Sequence, residues 1–404
     1  MISRWLARAA LLTLAGCTDL HLHYCHSDGN SSAVGGSAQY ITIQGIADSG
    51  FQGSGYSVVA GSGAIVAITA SSTHVYVAGK QNGDWLVVRL DLQGNLDPAF
   101  GSSGRVLLGG PGEDFASALG IAPGGKIYVA GSRQNATADA ALVRLNNDGT
   151  VDTSFGSAGW AIFDGGSVDN AFGLVLDSQE RIVVVGSSRD NSNHDHTVVL
   201  RYRSDGALDW SVLDTAQAGV NDGANAVDVD DSDRIIVSGY GQNAFTVRRF
   251  HVDGSLDGSF GNAGRFVLDH AARGATSSVA YGVRLETSGQ ILATGDIGTQ
   301  MAVVRLSGSG TPDPSLGSGG VAIFSSGGTT GRGIALGPTG DFYVAGWTVD
   351  TMSVWGMLRD GTVRWQFTSA VAMLAYAVVF AETGSGPRLF VAATYPAPAV
   401  VALR

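Results

Sequence analysis

NNDGTVDTSFGSAG, Asn146 to Gly159, comes back along the chain. It returns as DLQGNLDPAFGSSG (Asp91 to Gly104), as HVDGSLDGSFGNAG (His251 to Gly264) and, worn down, as SGSGTPDPSLGSGG (Ser307 to Gly320). Self-similarity at a long period decides a fold before local propensity does, because each copy must build the same supersecondary unit.

Working outward from each copy gives that unit. An apolar run precedes it: LVVRL (Leu86 to Leu90), ALVRL (Ala141 to Leu145), VVLRY (Val198 to Tyr202), TVRRF (Thr246 to Phe250) and AVVRL (Ala302 to Leu306). Further upstream lies a β-branched run closed by a small residue: VYVAG (Val75 to Gly79), IYVAG (Ile127 to Gly131), IVVVG (Ile182 to Gly186) and IIVSG (Ile235 to Gly239). ILATG (Ile291 to Gly295), FYVAG (Phe342 to Gly346) and LFVAA (Leu389 to Ala393) follow. Their last residues are 52, 55, 53, 56, 51 and 47 apart. Continuous apolar runs of this length are strands buried on both faces. A turn precedes each run, marked by Pro and Gly in SALGIAPGGKI (Ser117 to Ile127) and RGIALGPTGDF (Arg332 to Phe342). A fourth strand follows the motif, as in RVLL, WAIF and RFVL (from Arg105, Trp160 and Arg265).

Four antiparallel strands repeated seven times, with no helix-period segment between them, predict an all-β, seven-bladed β-propeller. The blades fall near 60–108, 109–163, 164–213, 214–268, 269–324, 325–368 and 369–404. The last unit ends at VVALR (Val400 to Arg404) and lacks its fourth strand. Tyr40-Ile41-Thr42-Ile43 or Tyr56-Ser57-Val58-Val59 is expected to pair beside Val400 to Leu403, because closing the ring removes both free sheet edges. In this register the quoted motif is the hairpin between third and fourth strands. Asp148-Gly149 turns the chain, Asp152 faces Arg144, and Phe155-Gly156 shapes the entry to the outer strand. Val-x-Arg-Leu followed by Asp-Gly-x-x-Asp-x-x-Phe-Gly-x-x-Gly resembles the delta-60 repeat β-propeller family of bacterial secreted and surface proteins. The resemblance implies a propeller and export, and it brings no catalytic residues. ALDWSVLD (Ala207 to Asp214) and GTVRWQF (Gly361 to Phe367) lack the Phe-Gly pair.

Composition agrees with this reading. The 59 glycines and 15% charged residues suit short strands and tight turns. The formal charge of −11 repels phosphate backbones, so no nucleic-acid partner is expected. Arg4, Arg8 and the apolar AALLTL have the order of an export signal. Leu14-Ala15-Gly16-Cys17 resembles the lipobox of bacterial lipoproteins, which implies cleavage before a lipidated Cys17. Residues 1–16 are read as the signal, 17–38 as a flexible tether and 39–404 as the propeller. Thr18 rather than aspartate after Cys17 points to an outer-membrane or cell-surface lipoprotein, with secretion as the alternative. Cys25 with His21, His23 and His26 is a compositional metal signal only, and a Cys17–Cys25 disulfide competes with lipidation.

A residue repeated in every blade is scaffold, whereas a ligand pocket needs asymmetry. Arg89, Arg144, Arg201, Arg249 and Arg305 each precede an aspartate by eight positions (Asp97, Asp152, Asp209, Asp257 and Asp313), which predicts five cross-strand ion pairs. Calcium in the Asp-Gly turns is the weaker alternative, since the run lacks an EF-hand's alternating acids. Blade-specific polar residues collect where the loops between second and third strands share a rim with the connections between blades. Asp190, His194, Asp195, His196, Asp222, His270 and Arg273 are the candidate binding residues there, beside Glu113, Asp114, Asp139, Asp169, Asn221, Asp296 and Arg332. His194 and His196 together suggest a metal pair, against the plainer reading of a polar loop. Asp228 and Arg284 occupy an otherwise apolar column of the innermost strands and suggest a pair beside the channel. The expected protein is a monomeric, non-catalytic scaffold for a protein or glycan partner, touching the membrane only through its anchor and needing no cofactor. The rival is a hydrolase or lyase acting at the rim or channel mouth.

Overall fold

The computed structural model describes residues 46–110, 112–214, 220–324, 328–394 and 397–404. Cys17, Cys25, the neighbouring histidines and Tyr40 to Ile43 lie outside the described residues. Seven four-stranded antiparallel sheets make the fold. Blade 1 is β2 (Ala64–Ala70), β3 (His74–Gln81), β4 (Asp84–Asp91) and β5 (Arg105–Leu108). Blade 2 is β6 (Phe115–Ile121), β7 (Ile127–Gln134), β8 (Ala138–Leu145) and β9 (Trp160–Phe163). Blade 3 is β10 (Asp169–Leu176), β11 (Ile182–Arg189), β12 (Asp195–Tyr202) and β13 (Leu208–Asp214). Blade 4 is β14 (Asp222–Val229), β15 (Ile235–Gly241), β16 (Ala244–Phe250) and β17 (Arg265–Val267). Blade 5 is β18 (Ser278–Leu285), β19 (Ile291–Ile297), β20 (Gln300–Leu306) and β21 (Val321–Phe324). Blade 6 is β22 (Thr329–Leu336), β23 (Phe342–Thr348), β24 (Thr351–Met357) and β25 (Val363–Ala372). Blade 7 is β26 (Leu374–Thr383), β27 (Gly386–Thr394), β28 (Ala399–Leu403) and β1 (Tyr56–Val58).

The ring closes with Tyr56 opposite Val401 and Val58 opposite Ala399. The closing segment is also a further copy of the motif. Asp48-Ser-Gly-Phe51-Gln52-Gly-Ser-Gly55-Tyr56 runs parallel to Asp152-Thr-Ser-Phe155-Gly156-Ser-Ala-Gly159-Trp160. Its hydrogen bonds match too: Asp48 N–H donates to Ala402 O and Ala402 N–H to Gly55 O, each at 2.9 Å, as Asp152 and Arg144 do in blade 2.

The second strand of each blade is buried because neighbouring blades cover both faces, and the outer strand is half exposed. Each innermost strand carries one bulge at the same height, for example between Ala171 and Gly173 or between Gly331 and Gly333. The bulge accounts for the glycine that closes the apolar run. A Cβ on Gly186 would sit 1.8 Å from Asn170 O, and one on Gly346 1.8 Å from Thr330 O. Only a hydrogen fits there. Blade 7 alone has an alanine, Ala393, in this column.

Four of the five expected arginine pairs form. Arg89–Asp97 (2.7 Å), Arg144–Asp152 (2.8 Å), Arg201–Asp209 (2.6 Å) and Arg249–Asp257 (2.7 Å) span their hairpins. The fifth does not: Arg305 pairs with Glu286 at 3.2 Å, and Gln290 bonds Asp313. Glu286 rises from the β18–β19 hairpin and takes the guanidinium before Asp313 does. All five arginines also donate to a carbonyl of the next blade's turn, namely Asn147, Ser204, Val252, Gly308 and Arg359. Phe100, Phe155, Trp210 and Phe260 lie under the guanidiniums of Arg89, Arg144, Arg201 and Arg249 at 4.8–4.9 Å. The motif is therefore a clamp from one blade to the next, and Trp210 replaces the missing phenylalanine of blade 3. In blade 6 the arginine is absent as well, and Trp365 lies over Gly356, where a Cβ would meet it at 2.2 Å.

Candidate functional site

The clamps occupy the rim that carries the Asp-Gly turns. The opposite rim, formed by hairpins such as β11–β12 and by connections such as β9–β10, is where blades differ. Carboxylate electrostatics separate the two rims. On the clamp rim, Asp148, Asp205, Asp253 and Asp360 are held below the usual carboxylate range by hydroxyl or N–H donors two residues on. Asp152 is lowered by the Lys126 ammonium and then by Ser154. On the opposite rim burial pushes Asp114, Asp169 and Asp222 up, and Asp296 up to about 7. Two groups break the pattern. Glu286 is raised by burial on the clamp rim, and Asp190 is lowered to about 2 on the other, by the His194 N–H and then by the His196 ring.

The structure brings most of the sequence candidates together at the seam of blades 3 and 4. Asp190 accepts the N–H groups of Ser192 (2.8 Å) and His194 (2.9 Å) through Oδ1, and its Oδ2 lies 3.0 Å from His196 Nε2. Asp177 and Asp230 accept from residues two and four onward in the same way. Asp190 is thus a turn former, and both histidines face it: His194 Nδ1 is 3.8 Å from Oδ1. Asp195 pairs with Arg189 at 2.8 Å, and its N–H reaches Asn221. Asp222 accepts the Thr197 N–H at 2.6 Å, tying blade 4 to blade 3. Arg248, missed in the sequence, is buried between Asp214 (3.2 Å) and Asp222 (3.6 Å), with Arg265 also on Asp214 at 2.7 Å. His270 meets Ser278 Oγ at 3.2 Å, and the exposed Arg273 caps Asp269 O at 2.9 Å. These two stand at the next seam.

A second group spans blades 5 to 7. The bulges supply Tyr281, Arg332 and Tyr376 at equivalent positions. The Arg332 guanidinium lies 3.7 Å from the Tyr281 ring centroid and 4.9 Å from that of Trp347, and Trp347 packs tilted against Tyr376 with centroids 5.7 Å apart. Asp296 faces Arg332 and accepts the Thr330 hydroxyl at 3.4 Å. Sequence reasoning named Asp296 and Arg332 but missed the three aromatics. For Tyr281 and Tyr376 the signal was the identity change at one column: Val66, Ser117, Phe172, Asn225, Tyr281, Arg332, Tyr376.

Asp228 and Arg284 are both buried on neighbouring innermost strands. Asp228 Oδ2 accepts the Leu285 N–H at 2.9 Å, and Arg284 Nη1 donates to Val283 O at 2.9 Å. In the Asp-Gly turns, Asp148 and Asp253 bond the N–H and hydroxyl two residues on, so the turn itself occupies these oxygens.

Fold and rim define an all-β seven-bladed propeller with one repetitive face and one variable face. Four segments, residues 74–100, 123–155, 181–211 and 232–260, match the model of a domain of unknown function (DUF5122) described as a beta-propeller, and over these segments the chain is similar to that domain. No curated protein matches the chain. A streptogramin B lyase structure superposes with a TM-score of 0.61 at 11% identity, covering 86% of this chain and 96% of its own. The WD40 repeats of RRP9 superpose with a TM-score of 0.60 at 12% identity, covering 90% and 100%. At these identities the likeness is one of fold alone.

Proposed function

We propose that this propeller is an exported, lipid-anchored interaction scaffold that binds a protein or glycan partner on its variable rim. The observation that carries the reading is the division of the two faces. Repeated residues build neutralised clamps on one rim, whereas desolvated acids, a guanidinium between aromatic rings and blade-specific loops gather on the other. Arg332 and Trp347, both partly exposed over the buried Tyr281 and Tyr376, suit a partner that offers apolar faces and hydroxyl or carboxylate groups. Export and anchoring rest on Arg4, Arg8 and the Leu14-Ala15-Gly16-Cys17 stretch. Mass spectrometry of the mature N-terminal peptide should find Cys17 acylated, and an unmodified Cys17 removes the anchor.

The binding test uses immobilised mature protein against panels of envelope proteins and polysaccharides. Trp347→Ala should weaken capture at least tenfold, while Asp205→Ala on the clamp rim leaves it unchanged. Equal capture by both variants and the parent refutes the assignment of the rim.

One observation favours a second reading, a rim hydrolase or lyase. Asp296 is raised to about 7 beside Arg332, and a carboxyl that exchanges its proton near neutrality suits general acid–base work. Under this reading Asp296→Asn abolishes turnover of a bound ligand while leaving its capture intact.

A further inference from the structure

Three carboxylates meet at the seam of blades 2 and 3. Asp139 is the second residue of β8, Asp164 follows β9, and Asp169 opens β10. Two blades and the segment joining them thus contribute one acid each. One oxygen from each lies within 4.8 Å of the others, with Asp139 and Asp169 buried and Asp164 exposed. Sequence reading had named Asp139 and Asp169 but not Asp164.

The donors around them are neutral. Asn135 Nδ2 reaches Asp139 at 2.9 Å and the Thr137 hydroxyl at 3.4 Å, while the Gly166 N–H reaches Asp164 at 2.8 Å. The Gly165 N–H donates to Asp169 Oδ2 at 2.6 Å. Among the described residues none of the three acids has an ion-pair partner within 4 Å. Independently of the cluster, Asp169 has no exposed surface; the Ser188 hydroxyl and the Gly165 N–H stand against its carboxylate, and its buried Oδ1 meets no donor in hydrogen-bond geometry. A buried ionised oxygen left bare is costly unless a counter-charge meets it.

Comparison with the other blades sharpens the point. Asp169 stands two residues before the residue that precedes the bulge, as do Asp222, Ser278 and Thr329. Those three accept an N–H from the third strand of the preceding blade, at Thr197 (2.6 Å), Phe245 (2.8 Å) and Met301 (3.0 Å). Asp169 instead bonds its own connecting segment, and one of its oxygens lies in the cluster. At the next seam Asp214 and Asp222 are balanced by Arg248 and Arg265. At this seam no salt bridge among the described residues balances the three acids.

We propose that Asp139, Asp164 and Asp169 bind a hard divalent cation, Ca²⁺ foremost, that joins blade 2 to blade 3. The donor set is carboxylate oxygen throughout, without the imidazole or thiolate that favours zinc or copper. Three carboxylates supply part of the six to eight oxygens that calcium takes, and water on the exposed Asp164 side completes the shell. The site differs from an Asp-Gly turn loop, because its ligands come from two blades.

The test is thermal unfolding of the mature full-length protein, stripped with chelator and then titrated with CaCl₂ or, separately, MgCl₂. Saturating Ca²⁺ should raise the wild-type Tm by roughly 3–8 °C. Asp164→Asn, an exposed change that leaves the fold intact, should lose that rise, whereas Asp253→Asn on the clamp rim should keep it. Isothermal titration with CaCl₂ should give one site per chain in the wild type and none in Asp164→Asn. A rise with Mg²⁺ that Asp164→Asn also abolishes supports the site as well. No rise in the wild type with either ion, or an equal rise in Asp164→Asn, overturns it.

Discussion

Arg249 shows how one side chain joins two blades. It is buried, pairs with Asp257 at 2.7 Å, lies over Phe260 and donates to Gly308 O in blade 5. Arg249→Ala leaves buried Asp257 without its guanidinium, with only the Ser259 donors and His251 at 3.6 Å, and should cost about 3 kcal/mol in urea unfolding. Arg249→Lys keeps the charge but loses the planar fork, so it should recover only part of that loss. Protonation tests the same contact. Asp257 is held at about 2, burial being outweighed by the Ser259 hydroxyl, the Ser259 N–H and Arg249. A carboxyl lowered on folding contributes stability above its unfolded value, and the contribution disappears as pH falls through the folded one. Asp257→Asn should therefore flatten the acid limb of the stability curve between about pH 4 and 2. Asp296 has the opposite sign. Its folded value is raised to about 7 by burial, so the folded state binds the extra proton and stability declines as pH climbs to 7. The wild-type minus Asp296→Asn difference in unfolding free energy should fall from about pH 4 to pH 7 and be level above. A flat difference curve would remove the buried carboxyl from the account.

At the scale of the element, closure of the ring is the instructive case. The strands themselves were legible, because β-branched runs with glycine and proline punctuation have only one reading at this period. The partner strand was also legible as one of two candidates, and Tyr56 to Val58 proved to be the one paired among the described residues. The motif ahead of it was not read. Gln52 stands where glycine is usual, and β28 has Ala402 where the third strand should have arginine. The missing guanidinium comes from a different strand. Arg388 on β27 pairs with Asp48 at 2.7 Å and donates to Leu92 O of blade 1 at 2.7 Å. Phe51 packs under Gly94 of blade 1, as Phe100 packs under Gly149 of blade 2. A motif whose parts lie 340 residues apart (Asp48 to Arg388) leaves no local pattern. Phe51→Ala should cost about 3–5 kcal/mol, since it empties a buried aromatic site at the only non-covalent joint of the ring. Hydrogen exchange of that variant should show β1 and β28 opening before any other blade. Uniform loss of protection in all blades would contradict the joint.

For the whole molecule, repetition made the architecture readable and hid the site. Asp190, His194 and His196 stood out in the sequence as a dense polar loop, yet the structure turns both histidines onto Asp190 within one hairpin. Arg332 with Tyr281, Trp347 and Tyr376 could not be seen, because they come from three blades and meet only once the ring is formed. What periodicity does supply is a rule: the face where copies agree holds the ring, and function belongs to the face where they disagree. Hydroxyl-radical footprinting of the protein, free and with a captured partner, tests that rule most directly. The account predicts protection of Trp347 and the 190–196 loop, with the Asp205, Asp253 and Asp360 turns unchanged. Protection confined to those Asp-Gly turns would contradict it.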